Sequence, residues 1–288
     1  MTEPQYGDEL AVVTVTYASG RTVDRFLDTL PSATKRPDVP VVVVDNGSTD
    51  GAPERVATRD NVTLISTGEN LGYGAAANRG VASLGPEYGW VVVANPDMEW
   101  QDGTIDTMID AADRWPRGGE FGPLIREPGG KVYPSARQLP AIGRGIGHAV
   151  FSRIWPGNPW TAAYKQSTGE PVERVSGWLS GSCQLFRRAA WESVNGFDPR
   201  YFMYFEDVDL GDRLAKAGWQ CVYVPSAEVM HIQGHSSSSS SGHSARMLRE
   251  HHDSAYRYIA DRHQGWRWAP LRAAIRAGLA IRARIATR

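Results

Sequence analysis

Four short apolar runs, rich in β-branched residues, dominate the first third of the chain: LAVVTVTY (10–17), VPVVVVDN (39–46), VTLIST (62–67) and WVVVANPD (90–97). Strands this apolar along their whole length are buried on both faces, which is the habit of parallel strands covered by helices. Helical periodicity over residues 21–30, 52–58 and 73–84 supplies the cover. The resulting βαβα alternation predicts an α/β fold, a Rossmann-like, mostly parallel sheet with right-handed crossovers. Open sheets of that kind bind ligands beyond the carboxyl ends of their strands. The turns at 16–20, 45–51 (DNGSTDG) and 68–74 (GENLGYG) and the Asn95-Pro96-Asp97 step would therefore face one crevice, and Asp97 is the first candidate site residue. Each turn also has a purely structural use, since Asp, Asn, Ser and Gly cap helices and supply positive φ angles.

No GxGxxG follows the first strand and no GxxxxGK[ST] occurs, so the phosphate-binding chemistry of a dinucleotide site or a P-loop is missing. A nucleotide held by carboxylates and a metal stays open, with backbone groups at Thr16 and Tyr17 and the Asp45 carboxylate placed to read a pyrimidine. At 288 residues and a formal charge of −1 there is no broad basic excess, so nucleic acid is not an expected partner. Cys183 and Cys221 have neither CxxC nor zinc spacing and read as buried free thiols. The acidic N-terminus has no apolar h-region and no run approaches 18 apolar residues, so neither a signal peptide nor a membrane span is expected.

Beyond Asp97 a helix is expected over 101–114, and then the pattern loosens. Residues 118–130 are rich in Gly and Pro, 141–160 are aromatic with an uncertain helix, and 156–169 read as a mobile loop. Order returns at VSGWLSGSCQLFR (175–187), a strand or turn with close backbone approach to a ligand. In FMYFEDVDL (202–210) three carboxylates fall within four residues at the start of a helical pattern over 208–218. Acidic residues favour a helix start, yet two adjacent carboxyls beside aromatic rings are also suited to general-base work. A strand over 220–224 precedes VMHIQGH (229–235), with His231 and His235. Six serines at 236–241 form a flexible polar segment, lid or linker. From 262 to 288 there are seven arginines and no acid, with Trp266, Trp268 and an apolar stripe at Leu271, Ile275 and Leu279. That composition suits a helix lying on an anionic membrane surface, a docked basic helix or a dimer contact.

Seven motifs in this order and spacing, VTVTYAS, VVVDNGSTDG, ENLGYGAAANRG, VVVANPD, SGWLSGSCQLFRR, NGFDPRYFMYFEDVDLGDR and VMHIQGHS, resemble the inverting family 2 glycosyltransferases of GT-A fold. The likeness spans about residues 10–236 and is greatest to bacterial rhamnosyltransferases acting on lipid-linked acceptors. It implies that Thr16, Tyr17 and Asp45 contact the base, that Gly74 and Asn78 shape the nucleotide pocket together with Asn95, and that Asp97 and His231 hold Mg²⁺ or Mn²⁺. It further implies that Asp207 of the Glu206-Asp207 pair is the catalytic base and that Trp178, Ser180 and Gly181 lie near donor sugar and acceptor. Asn95 stands where the family's DxD metal motif begins with Asp, which removes one carboxylate and leaves Glu99 as a candidate helper.

The resemblance implies a metal-dependent transfer of a sugar, with dTDP-L-rhamnose favoured over UDP-sugars, onto a polyprenyl-diphospho-N-acetylglucosamine acceptor in cell-wall assembly. The motifs themselves do not separate thymine from uracil. A sugar nucleotidyltransferase would need a basic glycine-rich loop after the first strand, and a non-catalytic sugar-nucleotide binder would not need a base. The expected layout is a GT-A catalytic domain over 1–235, with a donor half about 8–115 and an acceptor half about 116–235. The Ser-rich loop at 236–244 and a helical basic segment at 245–288 would follow, on the cytoplasmic face of the plasma membrane.

Overall fold

The computed structural model describes residues 6–140, 171–232 and 241–286. The expected parallel layer is present: β1 (Glu9–Thr16), β2 (Val41–Asp45), β3 (Val62–Ser66) and β4 (Tyr88–Ala94) pair in parallel in the order β3-β2-β1-β4. They are joined through α1 (Thr22–Thr29), α2 (Ala52–Val56) and α3 (Tyr73–Ala82). Alternate side chains of the runs go to opposite faces, as the pleat requires. Leu10, Val12, Val43 and Val92 meet Phe26 of α1 in one core, while Val13, Val44, Val91 and Val93 meet Ala76, Ala77 and Val81 of α3 in the other.

The sheet continues past β4 with mixed direction. After β5 (Met98–Trp100) and α4 (Thr104–Arg114) come β6 (Gly118–Arg126), the short β7 (Val132–Tyr133), β8 (Ala136–Arg137), β9 (Arg174–Ser176) and β10 (Trp178–Leu179). Next are β11 (Cys183–Arg187), α5 (Arg188–Ser193), α6 (Glu206–Lys216) and β12 (Gln220–His231). β11 lies antiparallel between β4 and β6, and β12 pairs parallel to β6 and antiparallel to β5. The stretches expected as donor and acceptor halves thus share one sheet.

Residues 118–126 differ from expectation, because the Gly/Pro-rich stretch is a buried central strand. Its glycines are packing devices. A Cβ at Gly119 would lie 2.7 Å from Ala190 Cβ and 2.9 Å from Trp219 Cβ, so the strand needs the missing side chain to let α5 approach. Pro123, which cannot donate to a ladder, pairs with Val224 at the point where the β12 register jumps to Glu228. The strand expected at 220–224 runs on to His231, and the helix expected from 208 begins at Glu206.

The C-terminal segment forms α7 (Ser241–Arg262) and α8 (Ala269–Ala286). The expected membrane-surface segment from 245 is divided: α7 is docked on the domain, with Tyr258, His252 and Ser254 buried, and the exposed part starts near Trp266, which is 82% exposed. Tyr258 joins Tyr201 and Val208 in a small third core. Arg262 forms ion pairs with Asp209 and Asp212 of α6, and Arg200 bonds Asp261 at 2.7 Å. Among the described residues no helix is long and apolar enough to cross a membrane. The expectations for 141–160, for 156–169, for His235 and for the serines at 236–240 fall outside the described residues.

Gly80 sets how near α3 lies to the sheet, since a Cβ there would stand 2.5 Å from Val13 Cγ1 and 2.9 Å from Val44 Cγ2. Gly80→Val is expected to cost about 3 kcal/mol through overpacking. Urea denaturation measures it, and an unchanged midpoint would show that α3 is free to move away.

Candidate active site

Asp45 ends β2, and its buried carboxylate already organises the turn that follows. It accepts from Thr16 Oγ1 (3.1 Å) and from the backbone N–H groups of Gly47 and Ser48 (both 3.1 Å to Oδ2). The next turn leans on this one: Ala18 N–H donates to Ser48 Oγ (2.9 Å) and Gly20 N–H to Asp50 Oδ2 (2.7 Å). Tyr17, at the lip, is 49% exposed. Thr16, Tyr17 and Asp45 therefore share one strand-end pocket. Gly74 and Asn78 act through packing. A Cβ at Gly74 would sit 2.8 Å from Phe197 Cβ, and the Asn78 amide is fully used by the Phe197 backbone, donating to its carbonyl (2.7 Å) and accepting from its N–H (2.9 Å).

Asn95-Pro96-Asp97 turns from β4 into β5. Asn95 N–H donates to the Ser182 carbonyl (2.8 Å), and Ile232 N–H to the Asp97 carbonyl (2.9 Å), which brings β12 alongside. His231 Nε2 consequently faces Asp97 Oδ2 at 3.1 Å. A carboxylate and an imidazole brought together in this way are the two side chains that would hold a divalent ion. Glu99 does not join them. It pairs with Arg25 at 3.2 Å, and among the described residues no group of three His, Cys, Asp or Glu forms a ligand cluster. The rest of a metal's coordination would come from diphosphate oxygens and water.

α6 begins immediately after Tyr204 and Phe205, both left-handed at φ 66° and 67°. Consecutive non-glycine residues in that region are costly and persist only where packing imposes them; here the rings of Tyr204 and Phe205 lie edge-on to His251 of α7 at 5.4 and 5.6 Å. This sharp entry aims Glu206 inward and Asp207 toward Gly181. Asp207 accepts from Gly181 N–H (3.1 Å, Oδ2) and from its neighbour Val208 N–H (2.8 Å, Oδ1). The Gly181 carbonyl in turn accepts from the Tyr73 hydroxyl at 2.7 Å. Withdrawal from water pushes both acids up, Glu206 to about 8, with the two charges opposing each other; the backbone donors and the nearby Arg137 charge restrain Asp207. The two carboxyls are held unequally: the buried Glu206 Oε2 has no hydrogen-bond partner among the described residues, whereas Asp207 is met by two backbone N–H groups. Burial pushes the Tyr73 phenol well above its ordinary range, with the neighbouring Glu206, Cys183, Asp207 and Asp97 acting in the same direction.

Trp178, Ser180 and Gly181 line the same edge. Trp178 stands opposite Arg137 in the β8–β10 pair, and Ser180 N–H donates to the Ser135 carbonyl at 2.7 Å. Asp207, the Asp97–His231 pair and the β1 and β2 strand ends lie along one polar crevice.

The model for "Glycosyl transferase family 2" matches residues 11–193, and a second, "Glycosyltransferase like family 2", matches 173–251. The chain belongs to glycosyl transferase family 2. The family 2 transferase is 55% identical over 98% of its length, and 94% of the relative's, to the N-acetylglucosaminyl-diphospho-decaprenol L-rhamnosyltransferase of Mycobacterium tuberculosis. Its fold is that of the GT-A glycosyltransferases. The mannosyltransferase PcManGT of Pyrobaculum calidifontis, solved with GDP-Man and Mn²⁺, matches with a TM-score of 0.55 at 20% identity over 99% of this chain and 75% of that one. GalNAc-T7 with UDP, GalNAc and Mn²⁺ matches with a TM-score of 0.57 at 13% identity over 84% of this chain and 48% of that one.

Two residues of the transferase's crevice, Tyr73 and Arg137, and one buried acid in the core strand β6, Glu120, were not anticipated. Tyr73 has a legible signal, an aromatic at the first position of a helix opened by Gly72. Glu120 is a lone acid in a strand of glycines, wholly buried, with Gln184 Nε2 donating to it at 2.5 Å. Burial pushes its carboxyl from 4.5 up to about 8. A raised folded-state value means that its contribution to stability is complete below about 4.5 and is lost as pH rises through about 8. The melting temperature is expected to fall between pH 5 and 9, and Glu120→Gln to flatten that fall, as read by calorimetry; an equally steep fall in the variant would remove Glu120 as the cause.

Proposed function

We propose that this chain transfers L-rhamnose from dTDP-L-rhamnose to a polyprenyl-diphospho-N-acetylglucosamine, with inversion at the anomeric carbon, at the inner face of the plasma membrane. The observation that carries the reading is the near full-length identity to the mycobacterial enzyme, because the aligned span includes every residue of the crevice. The site supplies the chemistry. Asp207 takes the proton from the acceptor hydroxyl as that oxygen bonds to the anomeric carbon and the bond from that carbon to the donor diphosphate breaks. Gly181 and Val208 hold the carboxylate on line, and Tyr73 fixes the Gly181 peptide. Thr16, Tyr17 and Asp45 take the base of the nucleotide, and Trp178 and Ser180 form the wall against which the sugars lie. Asp97 and His231 would hold the divalent ion, Mg²⁺ or Mn²⁺, which when bound neutralises charge on the departing diphosphate.

Offered dTDP-rhamnose, UDP-sugars and a short polyprenyl-diphospho-GlcNAc, the protein is expected to add a deoxyhexose from dTDP-rhamnose, read by product mass. Transfer from a UDP-sugar alone would discard the rhamnosyl donor. Asp207→Asn should lower turnover about 10²–10⁴-fold, the usual worth of a positioned base, with donor affinity retained. Turnover near that of the parent would remove Asp207 as the base.

The membrane reading rests on the exposed end of the chain: Trp266 and Trp268 are exposed, and α8 carries arginines with no acid. Removal of residues 265–288 keeps the Arg262 contacts and should abolish co-flotation with anionic liposomes. Equal flotation of both chains would place membrane binding elsewhere.

A further inference from the structure

We infer that Arg137 is a diphosphate-binding residue for the acceptor, gripping the group that joins the acceptor sugar to its polyprenyl chain. This rests on the acceptor class proposed above and assigns it a subsite. β8 and β10 place Arg137 directly across from Trp178, and the guanidinium carbon lies 5.4 Å from the Trp178 ring centre and 5.6 Å from that of Tyr133. Its Nε donates to the Pro134 carbonyl at 2.8 Å. The side chain is thus held by two rings and one peptide, while among the described residues its two Nη atoms make no hydrogen bond and no carboxylate lies within 4.0 Å. The other arginines around this edge are already tied to the protein: Arg126 to Glu228, Arg213 to Asp209 and two carbonyls, and Arg174 to the Ala136 carbonyl and the Tyr223 ring.

The location fits the acceptor. Trp178 rests on α6 at Gly211, where a Cβ would meet Trp178 Cβ at 2.8 Å, and Gly211 lies four residues, about one 5.4 Å turn, beyond Asp207. The Arg137 charge accordingly reaches Asp207. A polyprenyl-diphospho sugar presents a hydroxyl to the base and carries its diphosphate on the anomeric carbon of the same ring, so base and cation must be one ring apart. The free edge of a guanidinium suits two phosphate oxygens at once, and stacking against two rings lowers the entropy lost on binding.

The test compares Arg137→Met and Arg137→Lys with the parent on polyprenyl-diphospho-GlcNAc, scoring acceptor KM, donor KM and the pH profile of kcat. Arg137→Met should raise acceptor KM about 10–100-fold, the worth of a charge-assisted pair, with donor KM held within twofold and Arg137→Lys intermediate. Donor affinity by calorimetry reports that the variants are folded. A rise in donor KM instead would give Arg137 to the leaving nucleotide. A shifted pH profile with unchanged acceptor KM would make it only a neighbour of the base. Either result overturns the assignment. Failure of the parent itself to glycosylate any polyprenyl-diphospho sugar would overturn the acceptor class and this subsite together, and is read before any variant is made.

Discussion

Moving a carboxylate out of water costs several kcal/mol unless the protein solvates it in turn, and Glu206 and Asp207 place two of them side by side at the start of α6. The surrounding structure offsets that cost unevenly. Asp207 receives two peptide N–H groups and a helix N-terminus, whose dipole favours the anion. Glu206 gives up its charge instead. The unequal solvation suits the proposed roles, Asp207 as base and Glu206 as a silent acid, and it depends on Gly181 being where Tyr73 holds it. A side chain at Gly181 would approach Tyr73 Cε1 at 3.6 Å and Asp207 Oδ2 at 3.8 Å, so the peptide sits in contact with both of the groups it links.

The same site is assembled from distant chain segments by backbone pairing. β11 sits between β4 and β6, and its leading turn brings Ser180, Gly181 and Ser182 to the end of β4, where Asn95 takes the Ser182 carbonyl. β12 runs long enough to carry His231 to Asp97. The contacts of Asp207 with Gly181 and of Asp97 with His231 each join distant parts of the chain, and both are products of strand order.

Much of the parallel half was legible because its information is local. Runs such as VVVVD can be buried only on both faces, and the strand ends then mark the crevice without further knowledge. The family motifs brought in Asp97, Asp207 and His231 residue by residue. What stayed hidden depended on partners far along the chain. Residues 118–126 read as loose because their glycines signal flexibility, whereas the strand uses them to admit Ala190 and Trp219, a reason visible only once α5 and β12 are in place. Glu99 looked available beside Asp97, but the Arg25 side chain claims it from α1. The Arg-rich terminal stretch looked uniform, and only the pairing of Arg262 with Asp209 and Asp212 separates its docked part from its exposed part.

That last pairing also bears on the order in which the protein comes into being. The parallel pairing β3-β2-β1-β4 is contained within the first 94 residues, while the free edge of β4 waits for β11. Asp209 and Asp212, on the helix that bears Asp207, pair with Arg213 and Lys216 within that helix and gain Arg262 only more than 160 residues after β4 ends. During synthesis the parallel layer can therefore form well before the crevice is closed, because Asn78 and Asn95 wait for Phe197 and Ser182, and α6 gains its contact with α7 later still.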